Sequence, residues 1–294
     1  MRRRDFVVGA LGAGMTLAFT GSAVASRRVT GADLESVNPE SNCEALRVVS
    51  IGGGVSETIA ALGGLSCLVG VDTTSTFPEA LTRLPQVGYQ HALPVEGVLS
   101  LRPHAVVHDG SAGPSETLSR LQQAGIENWI LDGEPSWDGL ARRITTLGDR
   151  LNRVVDSQRL LAEIYEARSA ITLPPAPGPN VLFVMSHGAG SAVAAGRETK
   201  ADALLSLAGC RNALAGQRGY RPISTEGVLR LRPDAVVLAG DPSGDFGRGL
   251  SRTLRSLPVL TEETLFLLGF GPRLPEAVGR VAGFMRDSLP EGLS

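Results

Sequence analysis

The sequence lacks the short motifs that mark the common classes of enzyme. It contains no Gly-x-Ser-x-Gly nucleophile turn, no paired acid motif and no His-Glu-x-x-His metal motif. The three glycines at 52–54 have neither a P-loop lysine nor the dinucleotide-binding spacing. We interpret them as a tight turn between a strand and a helix, next to a ligand cleft. These absences favour a binding function over catalysis.

Neither sign of charge is in excess. Lys and Arg together number 28, Asp and Glu number 30, and the sequence pI is about 6.1. A chain of this balance offers no basic surface to a nucleic acid, so no nucleic-acid partner is expected. The hydrophobic content of 43% predicts a globular chain rather than a disordered one or a bundle of membrane spans, and 294 residues allow two domains.

Cysteine is scarce, with three residues in the chain. Cys43 lies in a polar stretch without the small-residue pattern that precedes a lipidated cysteine. Cys67 and Cys210 lie in similar contexts, GGLSCLVG and LAGCRNAL, which places them in different halves of the chain. We interpret all three as small packing residues rather than metal ligands.

The first 25 residues have the organisation of an export signal. A basic start is followed by an apolar stretch of small residues and an Ala23-Val24-Ala25 cleavage sequence. The pair Arg3-Arg4 favours the twin-arginine route, and an ordinary Sec signal remains the alternative. Residues 26–45 are expected to form a flexible leader, and the mature protein is expected outside the cytoplasm.

One passage of the sequence occurs twice. GYQHALPVEGVLSLRPHAVV at 88–107 is echoed by GYRPISTEGVLRLRPDAVV at 219–237, about 130 residues later. A single duplication of such long period indicates two similar lobes rather than a solenoid of short repeats.

Short apolar runs alternate with helical patterns in both halves. In the first half the runs predict buried strands at 47–54, 67–72, 104–110 and 128–133. Because HAVVH falls within such a run, His104 and His108 are not expected to form a helical zinc-binding pair. The alternation predicts an α/β fold with an open, mainly parallel sheet in each lobe.

The lobes are expected at 46–135 and 174–294. Between them, residues 136–173 keep a helical period without an internal proline until PPAPGP at 174–179, which predicts one long helix or two helices in series. The predicted architecture is therefore two Rossmann-like lobes joined by a long backbone helix. Ligands of such folds bind at the carboxyl ends of the strands, which places a ligand cleft between the lobes.

These motifs carry a family resemblance that covers nearly everything after residue 45. The stretches VDTTSTFP followed by VGY, MSHG with AAGR, and the repeated EGVLxLRP resemble the periplasmic haem-binding proteins of haem-uptake ABC transporters. The general part of the pattern is also similar to vitamin B12- and ferric-siderophore-binding proteins. The resemblance implies a periplasmic protein that binds haem (hemin) as transported cargo, with no catalytic cofactor. A corrinoid or ferric siderophore is the alternative ligand, and a haem- or metal-processing enzyme is the less favoured class.

The resemblance assigns the haem iron to the tyrosine of the first lobe, Tyr89. A tyrosine phenolate is a recognised axial ligand of ferric haem, and the chain has three tyrosines, of which Tyr165 lies in the linking helix. His91 stands where relatives usually carry arginine, and a cation there would stabilise the phenolate. His187 and Arg197 are further candidate haem contacts, His187 at the end of a strand and Arg197 as a partner for a haem propionate.

The resemblance also implies a permease dimer with a cytoplasmic ATPase as partner, and it leaves room for a haem donor at the outer membrane or cell surface. Glu96 and Glu226 begin the two EGVL repeats. Two matched carboxylates, one on each lobe, suit a permease with two-fold symmetry. The alternative for both residues is simple capping of their helices.

Overall fold

The computed structural model describes residues 46–187, 191–240 and 257–288. The expected export signal, the leader and Cys43 lie outside these residues. Within the described ranges, every helix is too short or too polar to cross a membrane.

The first lobe is built on a fully parallel sheet, as predicted. Its four strands lie in the order β2-β1-β3-β4, with bounds β1 Val48–Ser50, β2 Leu68–Val71, β3 Ala105–His108 and β4 Glu127–Ile130. Their helices are α1 Gly53–Ala61, α2 Val95–Ser100 and α3 Ser115–Gln123, with single 3₁₀ turns at Leu65–Cys67 and Glu79–Arg83. Because parallel strands inside a sheet are covered on both faces, β1, β2 and β3 are apolar and largely buried, whereas the edge strand β4 has Glu127 and Ile130 exposed.

The two histidines around β3 have separate partners, which confirms that they are not a helical metal pair. His104 Nδ1 accepts a hydrogen bond from the backbone N–H of Arg47 at 3.0 Å. His108 is buried at the end of the strand, with Nε2 2.8 Å from Asn128 Oδ1. Both histidines are therefore structural.

The linking segment forms two helices, α4 Trp137–Arg150 and α5 Val154–Ser169. They fold back on each other, because the guanidinium of Arg168 at the end of α5 lies 5.0 Å from the ring of Trp137 at the start of α4. The break falls at Asn152, whose φ of 56° is left-handed and cannot continue a helix. The alternative of a single continuous helix is wrong, and α5 alone leads into the second lobe.

The second lobe has a mixed sheet in the order β10-β9-β5-β6-β8, with β7 beside β5. The pairs β5–β9, β9–β10 and β5–β7 are parallel, whereas β6 runs antiparallel to both β5 and β8. The strands are β5 Asn180–His187, β6 Ser191–Ala195, β7 Arg211–Asn212, β8 Tyr220–Pro222, β9 Ala235–Ala239 and β10 Val259–Glu262. The helices are α6 Lys200–Leu207, α7 Thr225–Leu231, α8 Thr264–Leu268 and α9 Leu274–Ser288.

The two lobes share one hydrophobic core. A single cluster of buried side chains joins Ile59 of the first lobe and Phe183 of the second to Ile144 of α4 and Val278 of α9. The opposite faces of the two sheets pack on smaller clusters of their own. Apolar packing therefore runs without interruption through the linking helices and ties the lobes together.

The cysteines do not all have the role that the sequence suggests. Cys210 is a free, buried packing residue, and burial raises the pKa of its thiol to about 12. Cys67, in contrast, is disulfide-bonded. The prediction that all three cysteines are simple packing residues is wrong for Cys67, because the odd count and the spacing carry no information about which thiols approach each other.

Candidate functional site

The glycine turn after β1 packs against the second lobe. Gly52 has a φ of 99° and donates its N–H to Asp72 Oδ1 at 2.9 Å, which confirms the tight turn. A Cβ on Gly54 would lie 1.9 Å from the carbonyl oxygen of Gly269 in the second lobe. Gly54 is thus required by close packing between the lobes, a reason that the sequence motif does not reveal.

A buried ion pair holds this contact. Glu57 of α1 is 1% exposed, and its Oε2 accepts hydrogen bonds from Arg273 Nε and Nη2 at 3.0 and 2.9 Å. The backbone N–H of Arg273 donates to the other carboxylate oxygen at 3.1 Å. Burial raises the pKa of Glu57, and the hydrogen bonds and charge of Arg273 oppose that rise. This pair closes one side of the interface between the lobes.

Tyr89 lies on the loop that leads from the 3₁₀ turn at Glu79–Arg83 to α2. The backbone N–H of Ala92 donates to the Tyr89 carbonyl at 2.8 Å, which makes residues 89–92 a tight turn rather than an extended segment. The Tyr89 side chain is 49% exposed, and its hydroxyl has no hydrogen-bond partner among the described residues. The Tyr89 phenol is therefore accessible to a ligand from solution.

His91 lies beside Tyr89, because the turn brings the two rings together. The ring centroids are 5.2 Å apart and the planes meet edge to face at 87°. His91 Nδ1 donates to the carbonyl oxygen of Ser111 at 2.7 Å. That contact ties the Tyr89 turn to the loop that follows β3.

The loop after β3 carries a carboxylate that reaches the other lobe. Asp109 Oδ2 accepts a hydrogen bond from Lys200 Nζ at 2.9 Å, and Asp109 Oδ1 accepts from the backbone and the hydroxyl of Ser111. Burial acts to raise the pKa of Asp109, but the charge of Lys200 and the hydrogen bonds from Ser111 and Lys200 lower it to about 2. Because β3 ends at His108, this contact lies at the carboxyl edge of the first sheet, where α/β folds bind ligands.

The second lobe contributes tyrosine and arginine near the start of α6. Tyr220 is 38% exposed; burial raises its pKa, and hydrogen bonds from the Ala201 backbone and the Thr199 side chain oppose the rise. Arg197 is exposed, with Nε 3.6 Å from a carboxylate oxygen of Glu198, which also pairs with Arg218.

His187 ends β5 at a strand carboxyl end, as predicted, and pairs through its backbone with Ser191. Its side chain lies outside the part of the chain that the structure describes. The haem contacts expected of His187 and Arg197 stay predictions.

The two EGVL segments have the same exposure pattern. Glu96 and Glu226 are exposed in the first turns of α2 and α7, and the valine two residues after each is fully buried. Leu99 and Leu229, three residues after the glutamates, are 37% and 47% exposed. The duplication in sequence is therefore also a duplication of surface.

Helix capping remains the alternative role for these glutamates. The N-cap of α7 is Ser224, whose hydroxyl accepts the N–H of Gly227, and the N-cap of α2 is Pro94, which makes no side-chain capping bond. A hydrogen bond from its own backbone N–H and one from Ser224 lower the pKa of Glu226. Both carboxylates face solvent.

Comparison with known proteins identifies the family. A family model described as periplasmic binding protein matches residues 48–258, which is most of the chain. The chain belongs to the periplasmic binding protein family.

Solved structures similar to this periplasmic binding protein include heme-binding members. The periplasmic heme-binding protein BhuT, solved in complex with two hemes, is 36% identical with a TM-score of 0.74, and the match covers 83% of this chain and 99% of BhuT. A periplasmic heme-binding protein from Pseudomonas aeruginosa is 36% identical with a TM-score of 0.70, covering 84% of this chain and 95% of that one.

Curated relatives are more distant. An uncharacterised ABC transporter substrate-binding lipoprotein, YvrC of Bacillus subtilis, is 26% identical over 66% of this chain, and the match spans 63% of its own length. The vitamin B12-binding protein of Pectobacterium carotovorum is 22% identical over 83% of this chain and 90% of its own. The family thus includes relatives named for more than one ligand.

Sequence reasoning missed the residues that join the lobes in this periplasmic binding protein. Glu57 belongs to the Gly-Gly-x-Ser-Glu stretch, but its partner Arg273 is 216 residues away. Asp109 and Lys200 are 91 residues apart. The one available signal was Lys200 itself, which is the single lysine among 28 Lys and Arg residues.

Proposed function

We propose that this periplasmic binding protein binds haem between its lobes and delivers it to the permease of an ABC importer. The observation that carries the proposal is Tyr89, an exposed tyrosine without a hydrogen-bond partner among the described residues, beside the carboxyl edge of the first sheet. The likeness to heme-binding proteins at 36% identity, over more than four fifths of the chain, supports the same ligand.

The chemistry of Tyr89 suits ferric iron. A phenolate oxygen is a hard, anionic donor, and it supplies the axial charge that stabilises the ferric state of haem. The edge of the His91 imidazole, held by Ser111, lies against the Tyr89 ring. When protonated, this imidazole would favour the phenolate form of its neighbour. Tyr220 is the weaker candidate because burial raises the pKa of its phenol and so disfavours the phenolate form.

Titration of the purified protein with hemin tests the ligand. The parent is expected to give a high-spin ferric spectrum with a tyrosinate charge-transfer band. Tyr89→Phe should lose that band and weaken hemin binding about 100-fold. This is the upper end of the loss in metal affinity seen when a residue that supports a metal ligand is mutated. Tyr220→Phe is the matched control and should bind as the parent does; equal titrations for both variants would rule out Tyr89 as the ligand.

The same titration separates haem from the alternative ligands. A corrinoid remains the second candidate because a vitamin B12-binding protein is among the relatives. Cyanocobalamin and a ferric siderophore are therefore added as competitors at equal concentration. Displacement of hemin by either compound would assign the site to that ligand class.

We further propose that His187 and Arg197 contact the bound haem from the second lobe. His187 follows β5 at its carboxyl end, and the Arg197 guanidinium is exposed and held only loosely by Glu198. His187→Ala is expected to change the axial signature, the stoichiometry or the dissociation rate of haem, with the circular dichroism spectrum unchanged. Unchanged titration and dissociation curves would leave His187 as a turn residue.

Docking on the permease is proposed for Glu96 and Glu226. Each lobe presents the same pair on one helical turn, a carboxylate and an exposed leucine three residues later, and residues at i and i+3 share a helix face. A permease built from two similar subunits can meet these surfaces with two equivalent cationic sites. Exposed Leu99 and Leu229 would add apolar contact at the centre of each site.

The docking proposal is tested in liposomes that contain the cognate permease and its ATPase. Glu96→Arg combined with Glu226→Arg should abolish haem-stimulated ATP hydrolysis while hemin affinity is kept. Glu116→Arg, on the exposed face of α3, reverses one charge elsewhere and should behave as the parent. If the double variant still delivers haem normally, the glutamates are not docking residues.

The export route to the periplasm is proposed from the first 25 residues. Relatives in the family include periplasmic proteins and a lipoprotein. We propose that the precursor is exported, by the twin-arginine route, and released into the periplasm after cleavage behind Ala25. Arg3→Lys with Arg4→Lys should then block export, whereas export through Sec would tolerate the change.

A further inference from the structure

The single lysine of this chain lies at the contact between the lobes. Of the 28 Lys and Arg residues, 27 are arginine and one is Lys200. Lys200 is the first residue of α6 in the second lobe, and its ammonium is 2.9 Å from the carboxylate of Asp109 in the first. The side chains are 35% and 12% exposed, so the pair is partly shielded from water and from salt.

A chain of hydrogen bonds leads from Lys200 to the Tyr89 turn. Asp109 Oδ1 accepts from the backbone N–H of Ser111 at 3.2 Å and from its hydroxyl, and the Ser111 carbonyl accepts from His91 Nδ1 at 2.7 Å. Further along the loop, the Gly113 N–H donates to the Gln90 carbonyl at 2.8 Å. The loop at 109–113 is thus held by Lys200 at one end and supports the Tyr89 turn along its length.

We propose that Lys200 is a positioning residue for the haem site, an interlobe latch that fixes the loop behind His91 and Tyr89. This inference rests on the proposed function. The latch couples the contact between the lobes to the orientation of Tyr89. This is because Asp109 both pairs with Lys200 and accepts hydrogen bonds from Ser111. Without Lys200, Asp109 would remain largely buried with its charge unpaired, and the loop would relax toward water.

The site also explains the use of lysine rather than arginine. An ammonium is a compact charge on a flexible stem, whereas a guanidinium is a wide planar fork. Lys200 can reach one carboxylate oxygen and leave the other to Ser111.

Lys200 could act as a latch or bind a haem carboxylate directly. These two roles predict opposite effects of Asp109→Asn on the rate of haem dissociation. If Lys200 is a latch, Lys200→Met and Asp109→Asn should each accelerate haem dissociation about fivefold and shift the tyrosinate band. The double variant should be no worse than either single one, because both changes break the same pair. If Lys200 instead bound haem directly, Asp109→Asn would free it, and dissociation would slow or stay unchanged. That result overturns the proposal.

Two further variants test whether the effect comes from a change in charge alone. Lys200→Arg keeps the charge and should restore part of the parent dissociation rate and band position. Glu116→Gln removes one negative charge from the exposed face of the same lobe as Asp109 and should change neither. An effect of Glu116→Gln equal to that of Asp109→Asn would mean that net charge alone is responsible, and the latch would be excluded.

A ligand-free measurement tests the latch independently of haem. Because the chain has one lysine, an amine-acylating reagent reports on Lys200 alone once the modified peptide is separated by mass spectrometry from that of the N-terminus. Asp109→Asn should accelerate acylation of Lys200 about fivefold, and Glu116→Gln should leave it unchanged. Equal rates in the parent and in Asp109→Asn would show that the pair does not form in solution. Protection of Lys200 in a parent that gives no hemin spectrum would uphold the interlobe pair but reject the haem proposal, and with it the role of Lys200 in a haem site.

Discussion

Removal of Arg273 is the perturbation whose effect the structure specifies best. Arg273→Met keeps the aliphatic stem and the backbone N–H that donates to Glu57 Oε1, but it leaves Glu57, 1% exposed, without the charge of the guanidinium and the two hydrogen bonds that it donates. It also removes a guanidinium that lies 3.8 Å from the centre of the Phe77 ring. Loss of one partner from a buried ion pair costs about 3–5 kcal/mol, because the other charge stays buried and unpaired.

The expected loss is large enough to measure by heat or urea. For a domain of this size each kcal/mol corresponds to a few degrees, so the melting temperature should fall by roughly 10 °C. Arg280→Met on α9, the helix that begins directly after Arg273, is the control, because Arg280 is 61% exposed and its pair with Glu262 should contribute less than about 1 kcal/mol. Glu57→Met combined with Arg273→Met should recover much of the loss, since no charge is then left buried.

The cost of Arg273→Met should depend on pH. Burial already raises the pKa of Glu57, and without Arg273 less opposes that rise. A carboxyl whose pKa is raised in the folded state stabilises the fold at low pH and loses that contribution as the pH rises through the folded-state pKa. The variant should therefore lie closest to the parent in acid and furthest from it at neutral pH. A cost at neutral pH no greater than that of Arg280→Met would refute the argument that this pair clamps the lobes.

Two more changes probe the contacts between the lobes. Gly54→Ala should destabilise the protein by more than about 3 kcal/mol in urea unfolding, since the new Cβ would meet the Gly269 carbonyl, whereas Gly216→Ala, with open space around it, should stay within about 0.5 kcal/mol. The pKa of Asp109, lowered from 3.8 to about 2, stabilises the fold by ~2 kcal/mol above pH 5 and less as the pH falls toward 2. The stability difference between the parent and Asp109→Asn should therefore shrink between pH 6 and pH 3; a constant difference would contradict that assignment.

The two interlobe ion pairs have different roles in this picture. Glu57 and Arg273 are buried where the glycine turn meets the second lobe, next to the shared core, and they act on stability. Asp109 and Lys200 are partly exposed and linked to the Tyr89 turn, so they act on the ligand site. Variants of the first pair should change unfolding more than haem release, and variants of the second should do the reverse.

The sequence by itself determined the four strands of the first lobe, the two lobes and the repeated EGVL segments, because each rests on local periodicity and on motifs a few residues long. It also singled out Tyr89 and His91, which are neighbours in the chain. Only the tertiary structure decided which residues meet across the lobes. Gly54 against Gly269, Glu57 with Arg273 and Asp109 with Lys200 join segments 91 to 216 residues apart. Such pairings depend on how the packed sheets face each other, and no local preference of the chain encodes that geometry. The tertiary structure also decided the antiparallel strand β6 and the reversal at Asn152. At such positions several backbone conformations are locally similar in energy, and packing on the shared core selects one of them.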